Sequence, residues 1–325
     1  MKSIGIFAAP QKPNVPELVT HLAALAHRHG IEVRLQPEIA RLLNRDDLCC
    51  HQETDIASCD VLITFSGDGG VLKAARFAAP RGTPIWSVDL GRLGFLSAVR
   101  PGDMEPAFES LLRGEFEIEE RMMLEARVLR QSGTQTWNDG PVVPQIPFRT
   151  PDIIPPPPDP TPGIPDWVDV GGSIGLNDAV VAKSALARIL RFHIYVGGDL
   201  VAETRADGLV VSTPTGSTAY ALSAGGPIVH PQVPLLLLCP ICSHSIAQRP
   251  LVVGPDETIE LHAEWEGDEV SPNVLEAMLT IDGQVGIVLR SGDRVIVRRS
   301  SLCARLLLSP HDSFYARLRQ KLHWI

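Results

Sequence analysis

The sequence predicts an α/β N-terminal domain built on a parallel sheet, followed by a C-terminal β-rich domain of sandwich-like character. Two patterns and one loop predict it. Residues 1–100 alternate short apolar runs with stretches of helical period, as strands joined by helical crossovers do. From about Phe116 the apolar residues recur at alternate positions, the period of half-buried strands. After the third apolar run comes Ser66-Gly67-Asp68-Gly69-Gly70, a glycine loop between a strand and a helix. Open α/β sheets bind ligands at such strand ends.

Taken in order, residues 4–7 read as the first strand. Val15, Leu18, Val19, Leu22, Leu25 and Ala26 fall on one face of a helix. Residues 32–35, 61–65 and 85–88 are three further strands, and residues 71–76 are compatible with a helix. In the second half, residues 125–130 alternate, as do stretches at 251–261, 279–289 and 294–297, with Asp282-Gly283 as a turn. Residues 313–324 are expected to form a closing helix on Phe314, Leu318 and Leu322. The expected organisation is an α/β domain over 1–100, a β-rich domain over 101–310 and a helical segment over 311–325. An insertion interrupts the second domain at about 141–168. Of the 28 prolines, 11 fall in residues 141–166, a density that forbids regular helix or strand and reads as an extended surface segment.

Composition removes several function classes. At 325 residues the chain has room for about two ordinary domains, and its 44% hydrophobic content supports sizeable cores. A formal net charge of −9 argues against nucleic acid, whose phosphates call for clustered Lys and Arg. The strongest apolar run, Leu235-Leu236-Leu237-Leu238, is bracketed by Pro234 and Pro240 and is far too short to span a membrane. Met1-Lys2 leads straight into strand-like sequence without the features of a signal peptide, so the protein reads as cytoplasmic. Six cysteines in this length are not a disulfide framework. Cys239-Pro240-Ile241-Cys242 and Cys49-Cys50-His51 lack the second pair a zinc site needs, so no metal ligands are assigned.

The glycine loop directs backbone N–H groups and a helix N-terminus toward a phosphate. Asp68 is the unusual member. A carboxylate in such a cradle repels the ligand unless it holds a cation or takes a proton from an attacking hydroxyl, and either task points to phosphoryl transfer. Taken alone, a glycine turn with one Asp is most often a plain strand-to-helix connection. Leu72 stands where a dinucleotide fingerprint needs its third glycine, although Asp89 lies near the distance such a fold uses for a ribose. A second block runs from Asp207-Gly208 through Thr213-Pro214-Thr215-Gly216-Ser217-Thr218-Ala219-Tyr220 to Gly225-Gly226-Pro227. Its small side chains let a ligand approach the backbone, and its hydroxyls and amides can read a base or phosphate. The plainer reading is an ST-rich turn capping a helix. Gly171-Gly172-Ser173-Ile174-Gly175 matches a nucleophile elbow but follows the proline-rich insertion rather than a βα run, and it is discounted. His21, His27 and His29 fall in the first helix, where a surface role is the default.

Together these residues resemble the NAD kinase family. The resemblance rests on Gly67-Asp68-Gly69-Gly70, Leu90-Gly91-Arg92-Leu93-Gly94-Phe95-Leu96, Asn177-Asp178 and the block at 207–227. It extends through Cys242-Ser243-His244, Asp282-Gly283-Gln284 and Lys321-Leu322-His323-Trp324. It implies transfer of the γ-phosphoryl of ATP, or of polyphosphate or another NTP, to the 2′-hydroxyl of the adenosine ribose of NAD. It also implies an active site between two domains, a divalent cation such as Mg²⁺ with the ATP, and a homo-oligomer, dimer or tetramer. By position, Asp68 would be the base, with Gly69 and the loop amides holding phosphate and Lys73 neutralising its charge. Asn177 and Asp178 would bond the ribose or base of NAD, and Arg205 and Asp207 would frame the same pocket. Thr218, Ala219, Tyr220, Ala221, Leu222 and Ser223 would line the adenine and amide region, with Gln284 and Arg188 as further contacts. Two departures stand out. Asp178 replaces the usual Glu, and Ser87 and Asp89 replace Gly and Asn. An extra carboxylate near bound phosphates calls for a cation or a proton. The other readings are a non-catalytic dinucleotide-binding module, which the departures motivate, and a diacylglycerol-type lipid kinase sharing the G-D-G loop, against which the 207–227 block speaks.

Overall fold

The computed structural model describes residues 1–91, 94–96, 99–131, 167–184, 189–244, 248–265, 277–310 and 312–323. Residues 141–166 of the proline-rich insertion lie outside them, and so does Arg188, whereas Trp167 and Val168 are described and belong to a strand. The chain divides into two compact units, Met1–Arg121 with Leu302–Ile325, and Met122–Ser301. The first unit is thus more extensive than residues 1–100, because the chain returns to it at the C-terminus.

In the first unit β1 (Ser3–Ala8), α1 (Val15–Arg28), β2 (Glu32–Leu35), α2 (Pro37–Leu43), β3 (Val61–Ser66), α3 (Asp68–Ala78), β4 (Ile85–Asp89) and α4 (Met104–Leu112) follow one another. The four strands pair in parallel in the order β2-β1-β3-β4. Every residue of β3 is buried, as expected for a strand covered on both faces. Helix α1 buries Val15, Val19, Leu22, Leu25 and Ala26, the stripe its periodicity predicts. The order places a switch between β1 and β3, and the glycine loop leaves the carboxyl end of β3 there.

Strand β5 (Glu117–Gln131) leads into the second unit. There follow β6 (Trp167–Gly175), β7 (Asp178–Lys183), β8 (Leu190–Val196), β9 (Asp199–Ala206), β10 (Gly208–Ser212), the short helix α5 (Tyr220–Ser223), β11 (Leu236–Ile241), β12 (Leu251–Val253), β13 (Ile259–Glu264), β14 (Ala277–Ile281) and β15 (Val285–Leu289). One sheet is antiparallel in the order β12-β11-β10-β7-β14-β15. A second face is built on β13, β8 and β9 with the start of β16 (Arg294–Leu308). Inward residues of both, among them Val181, Leu209, Leu279, Phe192, Leu261 and Val297, share one core, which makes this unit a β-sandwich. The stretch expected at 251–261 is two strands, parted where Gly254-Pro255 removes a side chain and a backbone donor. Asp282 and Gly283 turn the β14–β15 hairpin with φ of 53° and 63°.

The end of β16 returns to the first unit, where Leu306 pairs with Ile85 of β4 in parallel. The chain closes with α6 (Phe314–Leu322), capped by Ser313, whose hydroxyl accepts from the Ala316 amide. Leu318 is buried as its position in the apolar stripe predicts.

Candidate active site

Each unit carries one cluster of the expected residues. In the first unit β3 ends at Ser66, and α3 opens at Asp68 with Gly67 as an extended N-cap. No side chain caps this helix, so its N-terminal end suits an anion. A Cβ at Gly70 would lie 2.1 Å from the Ser66 hydroxyl, so helix and strand meet this closely only through glycine. The Asp68 carboxylate accepts from the amide of Phe95 at Oδ2 (2.9 Å) and from that of Leu96 at Oδ1 (3.1 Å). Gly94 makes room for it, since a Cβ there would stand 1.8 Å from Asp68 Oδ1.

Asp89 is the anchor of the same loop. Its two oxygens accept from the amides of Gly91 and Gly94, each at 2.8 Å, and the residue is buried. The extra carboxylate therefore has its donors within the chain. The Lys73 ammonium stands over the rings of Phe7 and Phe77, at 5.3 and 5.7 Å from their centroids. A different lysine approaches the Asp68 carboxylate. Lys321 Nζ lies 3.8 Å from Asp68 Oδ2.

In the second unit the polar residues gather where β7 begins and where β10 and β14 end. The Asp282 carboxylate accepts from three successive amides, Leu176 (3.0 Å), Asn177 (2.7 Å) and Asp178 (3.4 Å). Its own amide donates to the Asp178 carbonyl at 2.9 Å. On the other side the Asn177 carbonyl accepts from the Thr213 amide (2.9 Å) and the Ser212 hydroxyl (3.2 Å), and Thr213 Oγ1 donates to the Leu176 carbonyl (2.6 Å). The turn that presents Asn177 and Asp178 is thus pinned from both neighbouring strands. Burial, reinforced by the charge of Asp282, pushes the Asp178 carboxyl from an ordinary value near 3.8 up to about 7.

The 213–223 segment is held by its own hydroxyls. Ser217 Oγ donates to the Pro214 carbonyl (2.6 Å) and accepts from the Val229 amide (3.0 Å), and Thr218 Oγ1 donates to the Thr215 carbonyl (3.3 Å). A Cβ at Gly216 would stand 2.2 Å from the Asn177 carbonyl oxygen. Ala221 is fully buried with Val180, Val210, Leu237 and Cys239, so it supports the segment from beneath, whereas Tyr220 is exposed. Ala219 and Leu222 are half-buried and Ser223 is exposed. Asp207 pairs with Lys183 at 2.9 Å. Arg205 is exposed and lines a depression of about 340 Å³ with Arg191, Trp265 and Ser291. Gln284 completes the turn begun by Asp282, its amide donating to the Ile281 carbonyl. Ser173, the discounted nucleophile, lies within β6 rather than at a strand-to-helix turn.

Both halves of the chain match known domains. Residues 4–116 match the model of the ATP-NAD kinase N-terminal domain, and residues 176–308 that of the ATP-NAD kinase C-terminal domain. The NAD kinase of Desulforamulus reducens is 36% identical over 322 residues, 99% of this chain and 97% of that protein. The chain belongs to the NAD kinase family. Among other NAD kinases, that of Moorella thermoacetica is 36% identical, over 99% of this chain and 89% of its own. The fold is shared with yeast NADH kinase complexed with NADH (TM-score 0.78, 22% identity, 100% of this chain and 88% of that one). It is also shared with an Archaeoglobus fulgidus NAD kinase in complex with ATP (TM-score 0.69, 21% identity, all of both chains).

The residues that sequence reasoning left without a role are the holders. Asp282 is 104 to 106 positions from the amides it binds. The link between Lys321 and Asp68 crosses from the last helix to α3. No local pattern announces either. The spacing Gly91…Gly94 was the one available signal for a tight loop.

Proposed function

We propose that this NAD kinase transfers the γ-phosphoryl of ATP to the 2′-hydroxyl of the adenosine ribose of NAD, with Asp68 as the base. The observation that carries this is the state of the Asp68 carboxylate. One amide orients each oxygen, and the side chain remains 31% exposed at the N-terminus of α3. A carboxylate has about four lone-pair positions, so a hydroxyl can still donate to it. The loop amides and the helix end favour the phosphoryl group's negative charge. Asn177, Asp178 and the 213–223 segment supply donors and acceptors to the nucleotide, on a backbone too constrained to rearrange.

Among the described residues, no group of three or more His, Cys, Asp or Glu side chains is placed to hold a metal ion. The carboxylates of Asp68 and Asp89 are engaged with amides. The Mg²⁺ expected with ATP would enter with the nucleotide substrate. Dimeric or tetrameric assembly and a cytoplasmic location are part of the same proposal. No helix among the described residues is long and apolar enough to cross a membrane.

The test is purified protein with NAD, Mg²⁺ and a panel of ATP, GTP and polyphosphate, with NADP read through an NADP-specific dehydrogenase. NADP formed with ATP supports the reading. NAD binding without NADP from any donor would favour the non-catalytic module instead.

A further inference from the structure

The sequence supplied a closing helix but no task for it beyond covering the core. Leu318 does that work, at 5% exposure. Another stripe of α6 faces a different target. Phe314, Arg317 and Lys321, spaced three and then four residues apart, share one helical face, and all three meet Phe95. The Phe314 ring centroid lies 6.5 Å from that of Phe95. Arg317 Nη1 donates to the Phe95 carbonyl at 2.7 Å. Lys321 Nζ stands 4.5 Å from the Phe95 ring centroid. Phe95 in turn donates its amide to Asp68 Oδ2, the oxygen that Lys321 Nζ approaches to 3.8 Å.

We propose that α6 is part of the phosphoryl-transfer machinery and that Lys321 is a positioning residue for Asp68. The inference rests on the reading of Asp68 as the base. Phe95 is gripped at its ring, carbonyl and amide, so the carboxylate is bound to a segment that cannot shift unless α6 shifts. Lys321 closes the circuit by touching both the ring and the carboxylate. Its ammonium lies 3.8 Å from Asp68 Oδ2, where a phosphoryl group arriving at the base would bring negative charge. Stability does not account for the contact. Partly exposed ion pairs contribute about 0–1 kcal/mol, and the apolar packing of α6 needs no lysine at this position.

The role separates from a merely structural one by three measurements on the full chain. Lys321→Met should lower kcat by about 10- to 100-fold, the scale of a misplaced reacting group. Its KM for NAD should stay within about threefold and its melting temperature near that of the unaltered protein. Lys321→Arg, which retains the charge, should recover most of the lost kcat. In an Asp68→Asn background Lys321→Met should cost nothing further, because a residue that acts through Asp68 has nothing left to act on. Unchanged kcat in Lys321→Met, or full additivity with Asp68→Asn, would overturn the proposal. Loss of kcat together with a collapsed melting temperature, unrestored by Arg, would also overturn it and return α6 to a packing element. If Asp68→Asn keeps normal turnover, the base assignment fails and this inference with it. An inactive Asp68→Asn beside an active Lys321→Met refutes the Lys321 role alone.

Discussion

Asp68 and Asp178 carry the same side chain at the head of a helix and of a strand, and the two units treat them in opposite ways. Asp68 is one-third exposed, takes an amide on each oxygen and has an ammonium at 3.8 Å. Asp178 is 5% exposed and lies beside a second carboxylate, Asp282, which itself takes the three amides of the turn. The difference teaches what each position is suited to. Donors and a cation fix the Asp68 carboxylate in one orientation, as a general base requires. Burial beside a like charge leaves Asp178 changing protonation near neutrality, which suits a ligand contact whose character depends on pH.

The widest test of this contrast removes the proposed base. Asp68→Asn keeps the shape and the amide at Oδ1 but has little basicity, so kcat should fall by about 10²–10⁴-fold with NAD binding retained by calorimetry. Turnover near that of the unaltered protein would sink the assignment. Next in size is Gly94→Ala. The new Cβ would stand 1.8 Å from Asp68 Oδ1, so the loop or the carboxylate must move. Displacement on the scale of an ångström costs about 10²-fold in rate, and the loss should fall on kcat rather than on KM for NAD. In the second unit the corresponding break is Asp282→Ala, which strands the amides of residues 176–178. Buried donors without partners cost about 1–3 kcal/mol each, less where the turn relaxes. A melting temperature lower by several degrees, with a raised KM for NAD, is the expected result. A raised KM without destabilisation would show that the turn holds without its anchor.

The regular elements of both units were legible in the sequence because burial imposes a period. The stripe of α1, the strand β3 and the Asp282-Gly283 turn follow from local rules and appear where expected. The loop carrying Asp68 was legible from its glycines, and the structure shows one reason for them: only glycine at Gly70 allows the approach of α3 to Ser66. What the sequence hid is long-range. Lys73, five residues from Asp68, was the lysine the sequence offered, and nothing local announced that the last helix brings Lys321 to 3.8 Å from Asp68 Oδ2. Asp89 read as a surplus charge because its partners, the amides of Gly91 and Gly94, are backbone groups that every sequence contains. Side-chain identity does not reveal which backbone donors a fold will turn inward.

The finest test lies in the pH dependence of Asp178. Its carboxyl is raised, so the sign is the reverse of a salt-bridged aspartate. Below about pH 4 the group is protonated in both the folded and the unfolded chain. As pH rises from there toward about 7, the unfolded chain releases the proton while the folded chain retains it. This group's contribution to stability therefore falls across that window and levels off above it. For the ligand the direction is opposite. An ionised Asp178 accepts a hydrogen bond from a ribose hydroxyl more strongly than a neutral one does, so KM for NAD should fall by roughly three- to tenfold as pH passes through about 7. Asp282→Asn removes the neighbouring charge and part of the upward shift, so the same step should appear at lower pH. Asp178→Asn should abolish it. A KM profile measured from pH 5.5 to 8.5 with an identical midpoint in the unaltered protein and in Asp282→Asn would show that Asp282 acts on the turn through its hydrogen bonds alone, and that its charge does not reach the nucleotide.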